Sequence, residues 1–531
     1  MNIEKNTTYR TKQKQTAAYF RIVIYLIFAV MMGIVLLNKD NYFVDEIYSY
    51  GLANHQDGIA LFENEKKYIP ADVCYMNYMT VNQQHRFDYP NVWINQKKDV
   101  HPPLYYVLLH TICSFFPERF SIWFAGVINI VFALMTLKRI RSLSSILSGH
   151  RQIITEMVTI IFVCSAGILS SISFLRMYVM AMYWITRTAD LVLKEMASDE
   201  YNNRFFIDMF FTATAGALTH YYCIIFTVSI SLFACIYLLL KKRYKAILCY
   251  CLTGAVSAIS AYLIFPPMIT HMFLEKRGSE SIQNLQGSIS EFCDRIQQFI
   301  QIIDKDLFGG IGIILIAYLA ILLLIAVIRK KGTKETQQKE CLLFKQYLLL
   351  CFAITLYFLF VGKSAVYIST RYMFPIYGLL LTVVMEAVLI LNDIIWKDNI
   401  GKGINILLIV CYLAGSWHFQ QWKYLYKQSN VLLEKASQYS DVDCLFLYDK
   451  AYQTYPSFLE TGNYRSLTYL KIKDLDHLKK LQLINEDRLI IINVGGDGIL
   501  DQITKEYHYT VIEEIGSHGY GTSYYLTSEK E

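Results

Sequence analysis

Between Ala17 and Leu37 the chain carries twenty-one residues, of which only Arg21 is charged. Coiled as a helix, a run of that length matches the roughly 30 Å hydrocarbon core of a bilayer. Similar runs recur as far as residue 418, and 54% of the 531 residues are hydrophobic against 18% charged. A water-soluble fold has no use for so much apolar surface, so the expected class is an α-helical multi-span membrane protein. Arg10, Lys12 and Lys14 precede the first run as they would in a signal peptide. The run is longer than a signal core and no A-x-A-like cleavage site follows it, so it reads as a retained anchor. Of the twelve cysteines, most (Cys164, Cys223 and Cys351 among them) lie inside apolar runs, without metal-ligand spacing or a disulfide framework. They serve there as small apolar side chains. The net charge of +6 comes from short basic loops, which bear on topology rather than on nucleic acid.

Those loops, at residues 10–21, 138–151, 241–245 and 329–345, belong on the cytoplasmic side. Successive loops must then be separated by an even number of crossings. Runs at 152–171 with 174–193, 206–219 with 222–240, 246–265 with 309–328, and 346–361 with 373–391 supply four out-and-back pairs. A last run at 404–418 leads outward. The segment 103–116, within KDVHPPLYYVLLH, breaks this arithmetic if it spans. About fourteen residues cross a bilayer poorly, and its tyrosines and histidine suit an interface. It is therefore expected to lie on the outer surface, with the true span at 119–137. The total is about eleven spans, with the N-terminus cytoplasmic and the C-terminus extracytoplasmic. The expected domains are a cytoplasmic tail (1–16), a transmembrane domain (17–418, including the outer loop 38–118) and an extracytoplasmic domain (419–531).

In the last of these, DCLFLYD and RLIIINV read as buried strands, DHLKKLQL as helical, and HYTVIEEIG and TSYYLT as later strands. A small α/β domain follows. Its GGDG, residues 495–498, lacks the rest of a nucleotide fingerprint and reads as a turn.

This topology gathers the unusual polar residues on the outer face. Asp45 and Glu46, in NYFVDEIYSYGLAN, start a helix with an apolar side and are expected near the surface. Paired carboxylates there serve as a general base or bind a divalent cation such as Mg or Mn. His101 precedes two prolines, which hold it extended at the rim of the interfacial helix rather than within it. Arg176 stands in an otherwise apolar run, where a charge is costly unless paired or lining a polar cavity. Arg371 and Tyr372 repeat the pattern at another outer helix start. Two guanidinium groups at one membrane level suit phosphate oxygens. His220, Tyr221 and Tyr222 form a polar aromatic turn on the same face; an interfacial belt would look alike.

DE after the first run, HPPLYYVLLH, FLRMY, LTHYY and TRYMFPIYGLL occur in this order. Together they resemble the integral-membrane GT-C glycosyltransferases, specifically the protein mannosyltransferase-like and aminoarabinose transferase-like bacterial branch. The resemblance covers nearly all of the first 390 residues and none of the C-terminal domain. Similar bacterial sequences often carry Gln-Glu-Ala where this chain has Ser173-Phe174-Leu175, so one carboxylate of the pattern is absent.

The resemblance implies a polyprenyl-phosphate-linked sugar donor and an acceptor protein, lipid or cell-wall glycan. It implies Asp45 and Glu46 as catalytic acids of the first outer loop. His101, Arg176, Arg371 and Tyr372 would hold the donor phosphate, and Tyr105, Tyr178, His220, Tyr221 and Tyr222 would line the donor or acceptor site. Two other classes stay open from the residues: a transporter or flippase for lipid-linked sugars, and a non-catalytic envelope scaffold. The gathering of polar residues at one face, without mid-span carboxylates or paired repeats, favours surface chemistry.

Overall fold

The computed structural model describes residues 2–56, 58, 60–328, 334–396, 399–517 and 519–528, with the side chains of 2–18, 334–341 and 485 outside that description. The expected basic clusters at 10–21 and 329–345 therefore fall largely outside the described side chains. The chain forms two compact units. Unit 1 comprises residues 1–35, 100–105 and 126–421; unit 2 comprises 36–99, 106–125 and 422–531. Most of the outer loop expected within the membrane domain thus groups with the C-terminal residues.

Among the described residues, seven helices are long and apolar enough to cross a membrane: Tyr19–Leu37, Ile122–Leu147, Tyr222–Leu240, Tyr244–Ile264, Leu342–Ser364, Phe374–Ile395 and Asn399–Phe419. Two bent pairs, Gln152–Cys164 with Ala166–Ser173 and Ile289–Phe308 with Gly312–Ile328, raise the total to nine if each pair is one span. Nine of the eleven expected crossings fall on these. The other two, at 174–193 and 206–219, fall on helices that do not meet the same standard. Tyr178–Ser198 carries Arg187, Asp190, Lys194 and Glu195, and Asn203–Ala217 has only 15 residues. Several of their charges are held in ion pairs. Fully buried Asp190 takes Arg139 at 3.1 Å and Lys194 at 2.7 Å, and Arg187 meets Asp208 at 2.8 Å. Such pairing is what makes charge tolerable among apolar helices. The segment expected not to span forms the short apolar helix Leu104–Phe115.

Phe374–Ile395 is the central helix of unit 1, with 72% of its span buried against 17% for Tyr244–Ile264 at the rim. The rim helices turn Val228, Leu232, Ile236, Leu248 and Leu252 outward. That is the apolar exterior which a lipid-facing surface requires. The break at Ser165, where the chain bends by 44°, frees backbone groups that lipid could not satisfy. Helix Asn399–Phe419 supplies the partners: Ser416 Oγ accepts from the Ala166 amide (2.9 Å), and Trp417 Nε1 donates to the Cys164 carbonyl (2.9 Å). The second, 88° bend uses Gly309 at φ +62°, where a Cβ would also meet the Gly415 backbone at 2.4 Å. Only glycine fits both demands.

Unit 2 is built on a six-stranded sheet: β1 (Lys67–Tyr68), β2 (Asp443–Tyr448), β3 (Ser466–Lys471), β4 (Arg488–Asn493), β5 (Tyr509–Ser517) and β6 (Thr522–Ser528), in the order β1-β3-β2-β4-β6-β5. β2 runs parallel to both β3 and β4, and the remaining pairs are antiparallel. The runs DCLFLYD and RLIIINV become the buried central strands because both faces are covered, which removes the need for alternation. On one face Leu445, Leu470 and Ile491 pack with Leu500 and Ile503 of helix Asp497–Tyr507. On the other, Phe62 stacks on Tyr469 at 3.7 Å, and the Tyr469 hydroxyl bonds that of Tyr75 at 2.9 Å. First-loop residues therefore complete the sheet's second layer, and β1 extends its edge. DHLKKLQL folds as 3-10 turns rather than a regular helix. In GGDG, Asn493 ties the turn to itself, accepting from the Gly495 amide (2.9 Å) and donating to the Gly496 carbonyl (2.7 Å).

Candidate active site

In unit 1, four basic residues occupy breaks between helices. His101 stands before Pro102 and Pro103, and the Leu104 amide donates to the Leu218 carbonyl (3.0 Å), joining this segment to the turn that carries His220. Arg176 lies in the gap between Ala166–Ser173 and Tyr178–Ser198. Fully buried Asn129 holds that gap, its amide donating to the carbonyls of Ile172 (3.0 Å) and Phe174 (2.9 Å); the Tyr105 hydroxyl donates to Leu175 (3.0 Å). Arg371 sits in the 3-10 turn Thr370–Tyr372, pinned by a bond from the Tyr357 hydroxyl to the Tyr372 carbonyl (3.0 Å).

These breaks bring the side chains together. Arg176 Nη2 is 3.4 Å from His101 Nε2, and the rings of His101 and His220 lie 6.4 Å apart. Tyr178 meets the His220 ring at 5.3 Å and that of Tyr372 at 6.5 Å; Tyr222 meets His220 at 4.7 Å and Tyr372 at 5.8 Å. The Arg371 guanidinium stands 5.3 Å from the Tyr372 ring centroid. Arg176 and Arg371 are only 3% and 8% exposed. Two permanently charged guanidinium groups so deeply set, with imidazoles and tyrosines around them, suit an anion that shares several hydrogen bonds.

His220 is not a third fixed charge. Burial, reinforced by His101, Arg176 and Arg371, pushes its pKa well below the ordinary histidine value of 6.5. Its Nδ1 accepts from the Tyr222 amide (3.1 Å), which leaves Nε2 as the donor of the neutral ring. A depressed folded-state pKa means that the unfolded chain gains the proton first as pH falls, so stability is lost below about 6.5. The thermal unfolding midpoint of His220→Gln is expected to drop less than that of wild type between about pH 7 and pH 5. Equal drops would contradict this placement of His220.

The Tyr221 hydroxyl bonds His271 Nδ1 at 2.9 Å. The sequence also did not point to Arg295. It donates to the Gly362 carbonyl (3.1 Å) and lies within electrostatic reach of Tyr222 and Tyr372. Asn129 escaped notice for the same reason as His271: a lone polar residue in or beside an apolar run carries no motif.

In unit 2, the two acids separate in role. Asp45 is half-buried in the first turn of helix Val44–Asn54. Glu46, expected near the surface, is instead fully buried. It accepts from the Phe43 amide (2.6 Å) and pairs with the equally buried side chain of Lys39 at 3.0 Å. The periodicity placed it one position along from Asp45, which on a helix is about 100° round and here is enough to turn it inward. Lys39 also donates to the Tyr424 carbonyl, and its ammonium stands 5.4 Å from the Tyr42 ring. Among the described residues, no group of three or more His, Cys, Asp or Glu side chains is placed to hold a metal ion. With Glu46 committed to Lys39, Asp45 and Glu46 do not share a cation site between them.

Residues 100–352, which include His101, Arg176 and His220–Tyr222, match the model of glycosyltransferase family 87. The chain is a membrane glycosyltransferase. Its fold agrees. ArnT from Cupriavidus metallidurans bound to undecaprenyl phosphate superposes with a TM-score of 0.54 at 9% identity, covering 96% of this chain and 98% of that one. The apo state of the same protein gives 0.50 at 9% identity over the same shares. The archaeal oligosaccharyltransferase AglB from Archaeoglobus fulgidus, in complex with an inhibitory peptide and a dolichol-phosphate, gives 0.46 at 10% identity, covering 90% of this chain and 70% of that one. At such low identity the likeness to ArnT is one of fold, and the glycosyltransferase has the GT-C architecture that its motifs led one to expect. No curated protein matches the sequence.

Proposed function

We propose that the glycosyltransferase moves a sugar from a polyprenyl-phosphate-linked donor to an acceptor hydroxyl or amine at the outer face of the membrane, with its N-terminus cytoplasmic and its C-terminal residues extracytoplasmic. The observation that carries this is the cluster of Arg176, Arg371, His101 and His220. A lipid phosphate brings its charge to membrane level, where such a cluster belongs; a water-soluble sugar nucleotide has no need of it. That the structurally similar ArnT was crystallised with undecaprenyl phosphate supports the same reading.

The reaction is a direct displacement. The acceptor oxygen or nitrogen forms a bond to the anomeric carbon as the bond from that carbon to the phosphate oxygen breaks, and polyprenyl phosphate departs with both electrons. Asp45 takes the acceptor proton. Arg176 and Arg371 neutralise the charge that grows on the phosphate, and His101 and neutral His220 donate to its oxygens. Glu46, through Lys39, fixes the start of the helix that carries Asp45. A single displacement inverts the anomeric centre, so the product linkage has the opposite configuration to the donor.

Arg371→Ala should weaken binding of undecaprenyl phosphate by about tenfold or more, since a charged hydrogen bond to phosphate is worth about 1.5–3 kcal/mol. Titration of the purified protein with that lipid checks this, and unchanged affinity would remove Arg371 from the phosphate site.

A further inference from the structure

Helix Leu342–Ser364 leads to the 3-10 turn that carries Arg371 and Tyr372, and residues 365–369 join the two without regular structure. The last carbonyls of a helix have no partner within it and form its negative pole. Here Arg295, on helix Ile289–Phe308, supplies the cation. Its Nε donates to the Gly362 carbonyl at 3.1 Å, in the last helical turn, and its Nη2 donates to the Ala365 carbonyl just beyond. Asn284, on helix Lys276–Gln286, donates to the same Ala365 carbonyl at 2.9 Å. Two residues further on, the Arg277 guanidinium stands 4.9 Å from the Tyr367 ring centroid. All of these residues belong to unit 1.

The helix that carries Arg295 is held close to that end. A Cβ on Gly362 would meet Ile296 Cδ1 at 2.8 Å, so the glycine lets the two helices approach. Helix Ile289–Phe308 also packs directly against the turn Thr370–Tyr372. Tyr357 fixes that turn at the Tyr372 carbonyl (3.0 Å), and Arg295 fixes the chain that enters it. A link left loose would have to be ordered each time an anion bound, and that cost would be subtracted from the affinity.

We infer that Arg295 is a positioning residue for the donor site: by joining the Gly362 and Ala365 carbonyls it holds residues 365–372, so that Arg371 and Tyr372 meet the phosphate already in place. This rests on Arg371 being a phosphate contact of the proposed reaction. Arg295 acts through Arg371, without a contact of its own to the lipid. A guanidinium fork reaches two carbonyls at once, which the single ammonium of a lysine does not reproduce. Asn284 secures the second of those carbonyls. Residues of the outer loop thereby set the affinity of a site whose phosphate contacts lie elsewhere in the chain.

The test is a double-mutant cycle on undecaprenyl phosphate binding by the full-length protein in nanodiscs. Arg295→Ala should weaken binding about tenfold, and Arg295→Lys, which keeps the charge but not the fork, should weaken it less. Arg295→Ala combined with Arg371→Ala should bind about as weakly as Arg371→Ala alone. Independent effects would multiply instead, to about a hundredfold. Hydrogen exchange of the amides at 366–373, measured without lipid, should be faster in Arg295→Ala than in wild type. If Arg295→Ala does not fold, Arg295→Lys and Asn284→Ala carry the same cycle with smaller losses. The inference is overturned if the losses multiply, if Arg295→Ala binds as wild type does, or if exchange at 366–373 is unchanged. Failure of wild type to bind undecaprenyl phosphate, or binding indifferent to Arg371→Ala, would contradict the proposed function and with it the effect on affinity. Faster exchange in Arg295→Ala would then leave the hold on the turn standing.

Discussion

Asp45→Asn is expected to lower sugar transfer by about 10²–10⁴-fold, the usual contribution of a positioned general base. The substitution keeps the size of the side chain and its place in the first turn of Val44–Asn54, so the helix and its packing should persist. Donor binding should be unaffected, because the phosphate contacts are assigned to Arg176, Arg371, His101 and His220. The loss should therefore appear in kcat at saturating donor and not in the donor KM. Asp45→Glu, which restores a carboxylate at a slightly wrong distance, should recover part of the rate. Near-normal kcat in Asp45→Asn would remove the base from the mechanism.

Lys39→Met is expected to destabilise the protein by about 3–5 kcal/mol, because it leaves the Glu46 carboxylate buried without its cation. The side chains of both residues are wholly inaccessible at a separation of 3.0 Å, so neither can turn to water. Burial already holds the Lys39 ammonium below its ordinary pKa, with Glu46 acting in the opposite direction. Removing both charges is a different matter. Lys39→Met combined with Glu46→Gln should recover most of the loss, since an apolar and a neutral group at these positions need no ion pairing. Thermal unfolding in detergent of the two single variants and the double variant checks this. Additive losses in the double variant would contradict the pairing.

The bundle was legible because apolar runs of bilayer length have few other uses, and nine expected crossings fall on helices or bent pairs long enough to span. The breaks inside it were not. The bend at Ser165 depends on Ser416 and Trp417, some 250 residues away, and no local pattern announces a partner at that distance. In unit 2 the buried runs at 443–448 and 488–493 were plain as strands, whereas SLTYLK was passed over although β3 runs the full length of β2. Two-residue β1 is a strand only through its pairing with β3, and so is invisible before the fold exists.

The basic cluster was legible for an energetic reason. An arginine such as Arg176 inside an apolar run must have a purpose, and the topology placed Arg371, His101 and His220 at the same end. Lys39 was not legible as the partner of Glu46, since a lysine just past a first span looks like an ordinary interfacial anchor. Asn129 was missed because its work is done through backbone carbonyls that only a broken helix exposes.

The central claim is that sugar leaves a polyprenyl phosphate and reaches an acceptor. The most direct measurement supplies the purified protein, in nanodiscs, with a panel of polyprenyl-phosphate sugars and crude envelope acceptors, and follows free polyprenyl phosphate. The account predicts release by wild type from one donor, in step with glycosylation of the acceptor, and little release by Asp45→Asn. No release from any donor, together with movement of a labelled lipid-linked sugar across vesicle membranes, would contradict it and make the chain a transporter.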